Sequence, residues 1–510
     1  MPVKKRGLGL ATQSLVTHSD PVHENANLST TPCPHVLSTN QTEGISMKDN
    51  KRRRQIKQRR ISSHLDQVNL FAAGIDIGSQ SHYAAVPEEL DSEPVREFGC
   101  FTGDLNRMAD WLVEIGIQTV AMESTGVYWI PAFEILEARG LVVLLVNARH
   151  VKNVPGRKSD VQDCQWLQQL HTYGLLEGAF RPPEETVALR TYMRQREMLV
   201  QRASDHIRHM QKALRQMNLL LDNVVSDIDG VTGMKIIRAI LAGERDPAVL
   251  AQFRDKRCKQ DKKTIAASLE GHYREEHLFT LKQSVELYDV YQQQIASCDA
   301  AIQAQLDRME SRGDKDDLPP TKKRKTKSSL DFDVRGELYR MTGVDLTRID
   351  GFNETSVLKI LAETGIDITP WPTEKHFASW LGLSPGNKIT GGKILTSKTK
   401  PSANRAAAAF RMAAFGLFNS KSALGAYYRR QRTRLGSPKA ITATAHKLAR
   451  TFYSMLKNGS EYVDQGQDYY EKQYRDRATK NLKKRAAFLG FDLVPNKEEK
   501  NMTDALLSTT

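Results

Sequence analysis

Four carboxylates stand where folding has no evident use for them: Asp76 in Gly-Ile-Asp-Ile-Gly-Ser, Glu123 in Ala-Met-Glu-Ser-Thr-Gly, and Asp160 with Asp163 in Lys-Ser-Asp-Val-Gln-Asp. Asp76 interrupts an apolar, strand-like run and Glu123 ends another. Asp160 and Asp163 are three apart at a helix start, so they share a helix face. Hard divalent cations prefer oxygen ligands, and Mg2+ binds through a few carboxylates while leaving positions for water and substrate phosphate. Two such ions about 3.5–4 Å apart activate a nucleophile and stabilise the leaving oxygen of a phosphodiester. Asp76, Glu123, Asp160 and Asp163 are therefore expected to hold Mg2+, as two ions, with Mn2+ as a substitute. Leu167 and Leu170 continue the face of Asp160 and Asp163, and carboxylates on an apolar stripe need positive compensation. A metal supplies it, helped by Arg157 or Lys158. Singly, each acid has an ordinary alternative: Asp160 as a helix N-cap, Glu123 as a solvated strand end.

The surrounding pattern supplies elements to position these acids. Strand-like runs cover 71–77, 81–86 and 95–101, followed by an amphipathic helix at 105–115, a strand at 119–122, a helix at 130–138, a strand at 141–146 and a helix from about Asp160. Three strands followed by α, β, α, β, α is the element order of an α/β ribonuclease H-like domain, expected over 67–183. Asp76 then falls in the first strand, Glu123 at the end of the fourth, and Asp160 and Asp163 on the last helix. The Gly-Ile-Asp-Ile-Gly-Ser segment also occurs in actin-like sugar kinases, but no second glycine-rich loop or adenosine motif accompanies it.

Downstream, Leu189, Met193, Arg196, Val200, Ala203, Ile207, Met210, Leu214, Met217 and Leu221 alternate spacings of four and three, the seam of a coiled coil. A return arm carries Leu281, Val285, Tyr288, Ile295, Ile302, Leu306 and Met309, interrupted by Gln292 and Asp299. A coiled-coil stalk is expected over 184–310, either an antiparallel hairpin or a dimerisation element. A charged linker at 311–334 leads to a mainly α C-terminal domain at 335–460. There Leu346–Leu361, with Gly351 in its turn, has the pattern of a helix-hairpin-helix that offers backbone amides to a DNA phosphate. A plain helical junction in a core has similar residues. Residues 461–510 read as a polar, basic tail and 1–66 as a disordered basic extension. That extension contains the cluster Lys51, Arg52, Arg53, Arg54, Lys57, Arg59 and Arg60, with Met47 just before it as a candidate native start.

The chain has 510 residues, 74 Lys and Arg against 60 Asp and Glu, and a net charge of +14. Nucleic acid is the natural partner of such a balance. The five cysteines are odd in number, scattered and never in a Cys-x-x-Cys pair, so neither a disulfide framework nor a zinc site is expected, and a reducing cytoplasm fits. No run approaches the roughly 18 apolar residues that cross a bilayer, so no membrane partner is expected.

Gly-Ile-Asp-Ile-Gly-Ser, Met-Glu-Ser-Thr-Gly-Val-Tyr-Trp, Asn-Ala-Arg-His-Val-Lys-Asn-Val-Pro-Gly-Arg-Lys-Ser-Asp-Val-Gln-Asp and Trp-Leu-Gly-Leu-Ser-Pro-Gly-Asn-Lys-Ile-Thr-Gly-Gly-Lys occur in that order. Together, over about 70–460, they resemble the DEDD transposases of the insertion sequence 110 family, relatives of the pilin-gene inverting recombinase. The resemblance implies a RuvC-like domain carrying the four acids, a coiled coil, and a C-terminal transposase domain that supplies a hydroxyl nucleophile. It also implies strand exchange on double-stranded DNA of element ends and target, a structured guide RNA, and homo-oligomers (dimer or tetramer) with composite active sites, in a bacterial cytoplasm and associated with the nucleoid.

The family's serine lies before a glycine in the segment that here reads Ile389-Thr390-Gly391-Gly392-Lys393, so Thr390 takes its place and Ser397 is the neighbouring alternative. Threonine has the same hydroxyl and is a nucleophile once activated. Around it Lys388, Lys393, Lys398, Lys400 and Arg405 concentrate positive charge, and Tyr427, Tyr428, Arg429 and Arg430 interleave aromatics with cations, a set suited to phosphate contact and base stacking. Two other readings remain open: a Holliday-junction resolvase that hydrolyses without a covalent link, and a catalytically silent nucleic-acid-binding relative.

Overall fold

The computed structural model describes residues 66–147, 159–320, 329–402 and 404–494. The basic cluster at 51–60, Met47, Arg157, Lys158, the lysine-rich part of the linker and the end of the tail lie outside the described residues. The chain divides into two units, Met1–Gly178 and Ala179–Thr510.

The first unit is built on a mixed sheet of β1 (Ala72–Ile77), β2 (Ser81–Ala85), β3 (Val95–Gly99), β4 (Thr119–Glu123) and β5 (Val142–Val146) in the order β3-β2-β1-β4-β5. β1, β2 and β3 pair antiparallel; β1, β4 and β5 pair parallel. Helices α1 (Thr102–Glu114), α2 (Trp129–Ala138) and α3 (Asp160–Thr172) complete it, so each expected strand and helix is present with its ends moved by three residues or fewer. Side chains alternate across a strand. Ala73, Ile75 and Ile77 therefore enter a core with Met108, Leu112, Phe133 and Leu136 from α1 and α2. Gly74 and Asp76 take the opposite face, against which α3 packs. A Cβ on Gly74 would lie 2.2 Å from the Gln168 backbone nitrogen and 2.5 Å from the Cys164 carbonyl oxygen, so only glycine permits this approach.

In the second unit α4 (Glu184–Gln216) leads through the short helices α5 (Val231–Leu241), α6 (Pro247–Leu250) and α7 (Lys262–Ser268) to α8 (Glu275–Arg308). α4 and α8 run antiparallel along each other. Gln305 donates to the Glu185 carbonyl at 3.1 Å, Arg196 pairs with Asp299, and His206 stacks on Tyr291 at 5.4 Å, so numbers rise on one helix as they fall on the other. Asp299, expected as an interruption of the seam, is the buried partner of Arg196, whose own place on the seam it explains. At the far end, the seam residues share a core with α5 and α7. At the near end, Leu189, Met193, Ile302 and Leu306 belong to the core of the C-terminal helices, so this end of the helix pair is part of that core.

Those helices are α9 (Val334–Thr342), α10 (Glu354–Thr364), α11 (Glu374–Trp380), α12 (Arg405–Gly416), α13 (Ala423–Leu435), α14 (Ser437–Asn458) and α15 (Gly466–Phe488), with a hairpin of β6 (Lys388–Thr390) and β7 (Lys393–Thr396) between α11 and α12. Gly351 adopts φ +91° in the turn before α10, and a Cβ there would lie 2.7 Å from the Ala413 carbonyl oxygen. The turn thus packs on the alanine-rich α12. Asn353 and Ser356 form a capping box, which occupies the Ser356 amide at the start of α10. No described helix is long and apolar enough to cross a membrane.

Candidate active site

Strand register builds the acidic site. Ile75 lies beside Met122 in the parallel β1–β4 ladder, so Asp76 and Glu123, one residue further on each strand, occupy the next step and the same sheet face. On the other side of β1, Asp76 is paired with Tyr83, and Tyr83 with Glu97. One row across the sheet thus reads Glu97, Tyr83, Asp76, Glu123. A hydrogen bond to Glu97, then partial burial, then the nearby charges of Glu97 and Asp160 raise the Tyr83 hydroxyl above its ordinary pKa. Thr125 donates to the Glu123 carboxylate at 3.0 Å, which aims it, and Gly126 at φ +55° turns the chain toward α2.

α3 covers the same face. Its buried stripe is Cys164, Leu167, Gln168 and His171, and His171 reaches Thr119 on β4 at 2.9 Å. Asp160 and Asp163 sit in its first turn, where carboxylates also suit the helix dipole. The cap itself is Ser159, which accepts from the Gln162 amide, so capping is not the role of Asp160. Cys164 reports where the acids are: burial pushes its thiol up to about 12, and the charges of Asp76 and Asp163 add to the rise.

This donor set is all carboxylate, the chemistry of a hard divalent cation. Among the described residues, however, no three His, Cys, Asp or Glu side chains are close enough together to hold one ion. The acids share a face and an end of the sheet but not a closed coordination sphere.

The C-terminal candidates divide. Gly391 and Gly392 both have positive φ and form a two-residue turn that pairs Thr390 with Lys393. Thr390 is therefore at the exposed hairpin tip, while Ser397 follows β7 near the hairpin base, also exposed. Lys388, Lys393, Lys398 and Lys400 are exposed on and after the hairpin. Arg405 is exposed and paired with Glu197 at 3.1 Å. Arg429 is engaged with the Phe418 and Ser420 carbonyls and Gln467, Arg430 lies over the Tyr474 ring at 3.3 Å, and Tyr428 is buried in the core. Gly74, Tyr83, Glu97 and Thr125 escaped the sequence reading. Thr125, two residues past Glu123, and Tyr83, placed opposite Asp76 by a short turn and strand alternation, carried a signal that could have found them.

Residues 73–219 match the DEDD family model of IS110 elements, described as a transposase, and residues 345–429 match the model described as transposase IS116/IS110/IS902 family. Two separate stretches of the chain are thus similar to IS110-family transposases. It is also similar to an insertion element IS110 uncharacterized 43.6 kDa protein of Streptomyces coelicolor, 31% identical over 119 residues, which is 23% of this chain and 29% of that relative. The chain therefore matches less than a third of that relative's length. Within the family pattern, the first matched span holds all four acids and continues into α4. The second holds Thr390 and Ser397 and stops at Arg429, so Arg430 and all of α14 and α15 lie beyond it.

Proposed function

We propose that this transposase-family chain is a DNA recombinase that excises and inserts an insertion sequence by metal-dependent strand cleavage and exchange. The observation that supports it most is the placement of Asp76 and Glu123 at one step of adjacent central strands, under the helix start that carries Asp160 and Asp163. These four side chains would have to draw closer together to hold a divalent cation, Mg2+ by donor chemistry, and the ribonuclease H-like reading of the sheet rests on the same strand order. When bound, the metal supplies electrophilic assistance to phosphate oxygens. Thr125 aims one carboxylate, and Lys388 and Lys393 flank Thr390 to receive a phosphate.

In this reading the Thr390 hydroxyl attacks a DNA phosphorus: its proton leaves to a base, an O–P bond forms, a DNA P–O bond breaks, and the leaving oxygen takes a proton. Ser397 is the alternative nucleophile. The guide RNA, the oligomer with composite sites and the helix-hairpin-helix contact belong to the same proposal. Strand cleavage and covalent-adduct assays on element-end DNA test it. Asp76→Asn, Glu123→Gln, Asp160→Asn and Asp163→Asn are each expected to lose cleavage by at least about 10²-fold, a typical scale for removing electrostatic stabilisation of the transition state. Thr390→Ala is expected to lose the adduct. Full cleavage by Asp76→Asn overturns the acidic site. Cleavage that survives Thr390→Ala together with Ser397→Ala replaces the hydroxyl with hydrolysis.

A further inference from the structure

α15 has 23 residues and buries none of them. Its first half is fastened: the Gln467 amide donates to the Lys421 carbonyl, Tyr470 meets Tyr427 edge-on at 6.1 Å, and Arg430 lies over Tyr474. Lys447 of α14 sits 4.9 Å from the Tyr427 ring and 5.8 Å from that of Tyr470. The second half, Arg477 to Phe488, holds Arg477, Lys480, Lys483, Lys484 and Arg485 and no acid. None of these five makes an ion pair among the described residues, although most exposed arginines elsewhere in the chain find a carboxylate. Arg477, Lys480 and Lys484 follow at three and seven residues, so they lie on one face.

An isolated helix of this charge repels itself, and no apolar stripe binds it to the rest of the unit. Its run of cations is complementary to a polyanion. We propose that the second half of α15 is a DNA-binding arm that lies in the major groove of duplex DNA with its cations on the flanking phosphates. A bare helix about 10–12 Å across fits the roughly 12 Å major groove of B-form DNA. The deep, narrow major groove of A-form RNA does not admit it. The fastened first half sets the direction in which the arm enters, and the cation–aromatic contacts at Tyr470 and Tyr474 are its root. This inference rests on the reading of the chain as a DNA-acting enzyme and extends it to a segment outside both family matches.

The test is fluorescence anisotropy of full-length protein on a 30-base-pair duplex in the absence of divalent metal, across 50–200 mM salt. Each lost phosphate contact reduces the log–log salt slope by about 0.9. The triple variant K480Q/K483Q/K484Q is expected to be shallower by about 2.7, so its deficit against wild type shrinks about 40-fold over that range. K480R/K483R/K484R is expected to restore the slope, and binding of an RNA duplex is expected to be the same for all three proteins. An unchanged DNA slope in the glutamine variant, or no restoration by arginine, overturns the arm; an equal loss on RNA overturns its assignment to DNA. Cleavage is not read, so the acidic site and the arm fail or stand separately.

Discussion

Gly74 of β1 lies so close beneath Gln168 of α3 that a Cβ would come within 2.2 Å of the Gln168 backbone nitrogen. That contact sets the depth at which α3, and with it Asp160 and Asp163, rests over Asp76. Backbone cannot give way as a flexible side chain can. Gly74→Ala is expected to cost about 1–3 kcal/mol or more by overpacking and to lift the helix. Urea unfolding measures the first effect. Strand cleavage at a temperature where the variant is still folded measures the second and is expected to be lost; retained cleavage would mean that the helix depth is irrelevant to the acids.

Thr125 gives the Glu123 carboxylate a hydroxyl donor at 3.0 Å. Hydrogen bonds to charged groups contribute about 1.5–3 kcal/mol. Thr125→Val, which keeps the shape, is expected to slow cleavage about 10-fold or more, and Thr125→Ser to recover it. Equal rates for Val and Ser variants would remove Thr125 from the site.

Arg196 and Asp299 form a buried ion pair between the two long antiparallel helices. Breaking one side leaves the other charge unpaired, so Arg196→Met is expected to cost about 3–5 kcal/mol. Replacing both, with Arg196→Met and Asp299→Leu together, is expected to return most of that stability, because desolvation of the pair offsets much of its attraction. Denaturant midpoints of the three proteins decide it, and a double variant as weak as the single one would contradict this account.

Glu337 is almost fully buried between Lys315 and Arg340. Burial pushes its carboxyl upward, but the two cations outweigh that and hold it below the usual glutamate value. A depressed folded pKa means that the contribution is present above the unfolded value of about 4.3 and is lost as pH falls through the lower folded value. Glu337→Gln is expected to lower the midpoint at pH 7 and to flatten its decline between pH 5 and 3. A variant whose acid limb is as steep as wild type would assign that decline to other carboxylates.

Much of the first unit was legible because period-two strands and amphipathic helices each carry their own pattern, and Asp76 and Glu123 break those patterns where charge is costly. The α4 and α8 stripes were legible for the same reason, down to Arg196 on the seam. Arg405 and Arg429 were not. Their type suggested phosphate contact, but not that Arg405 also pairs with Glu197 or that Arg429 donates to the Phe418 and Ser420 carbonyls, partners that sequence distance hides.

By itself the sequence determined the elements and the positive charge, and singled out the four acids and the family resemblance, because these depend on residue type and local spacing. Tertiary structure alone decided which side chains share a face. Register put Tyr83 and Glu97 in the row of Asp76, the missing side chain of Gly74 let α3 descend onto it, and packing left the second half of α15 bare. The physical reason is that alternation and helical period fix which way a residue points along its own element, whereas its neighbour comes from another element whose position only the closed fold supplies.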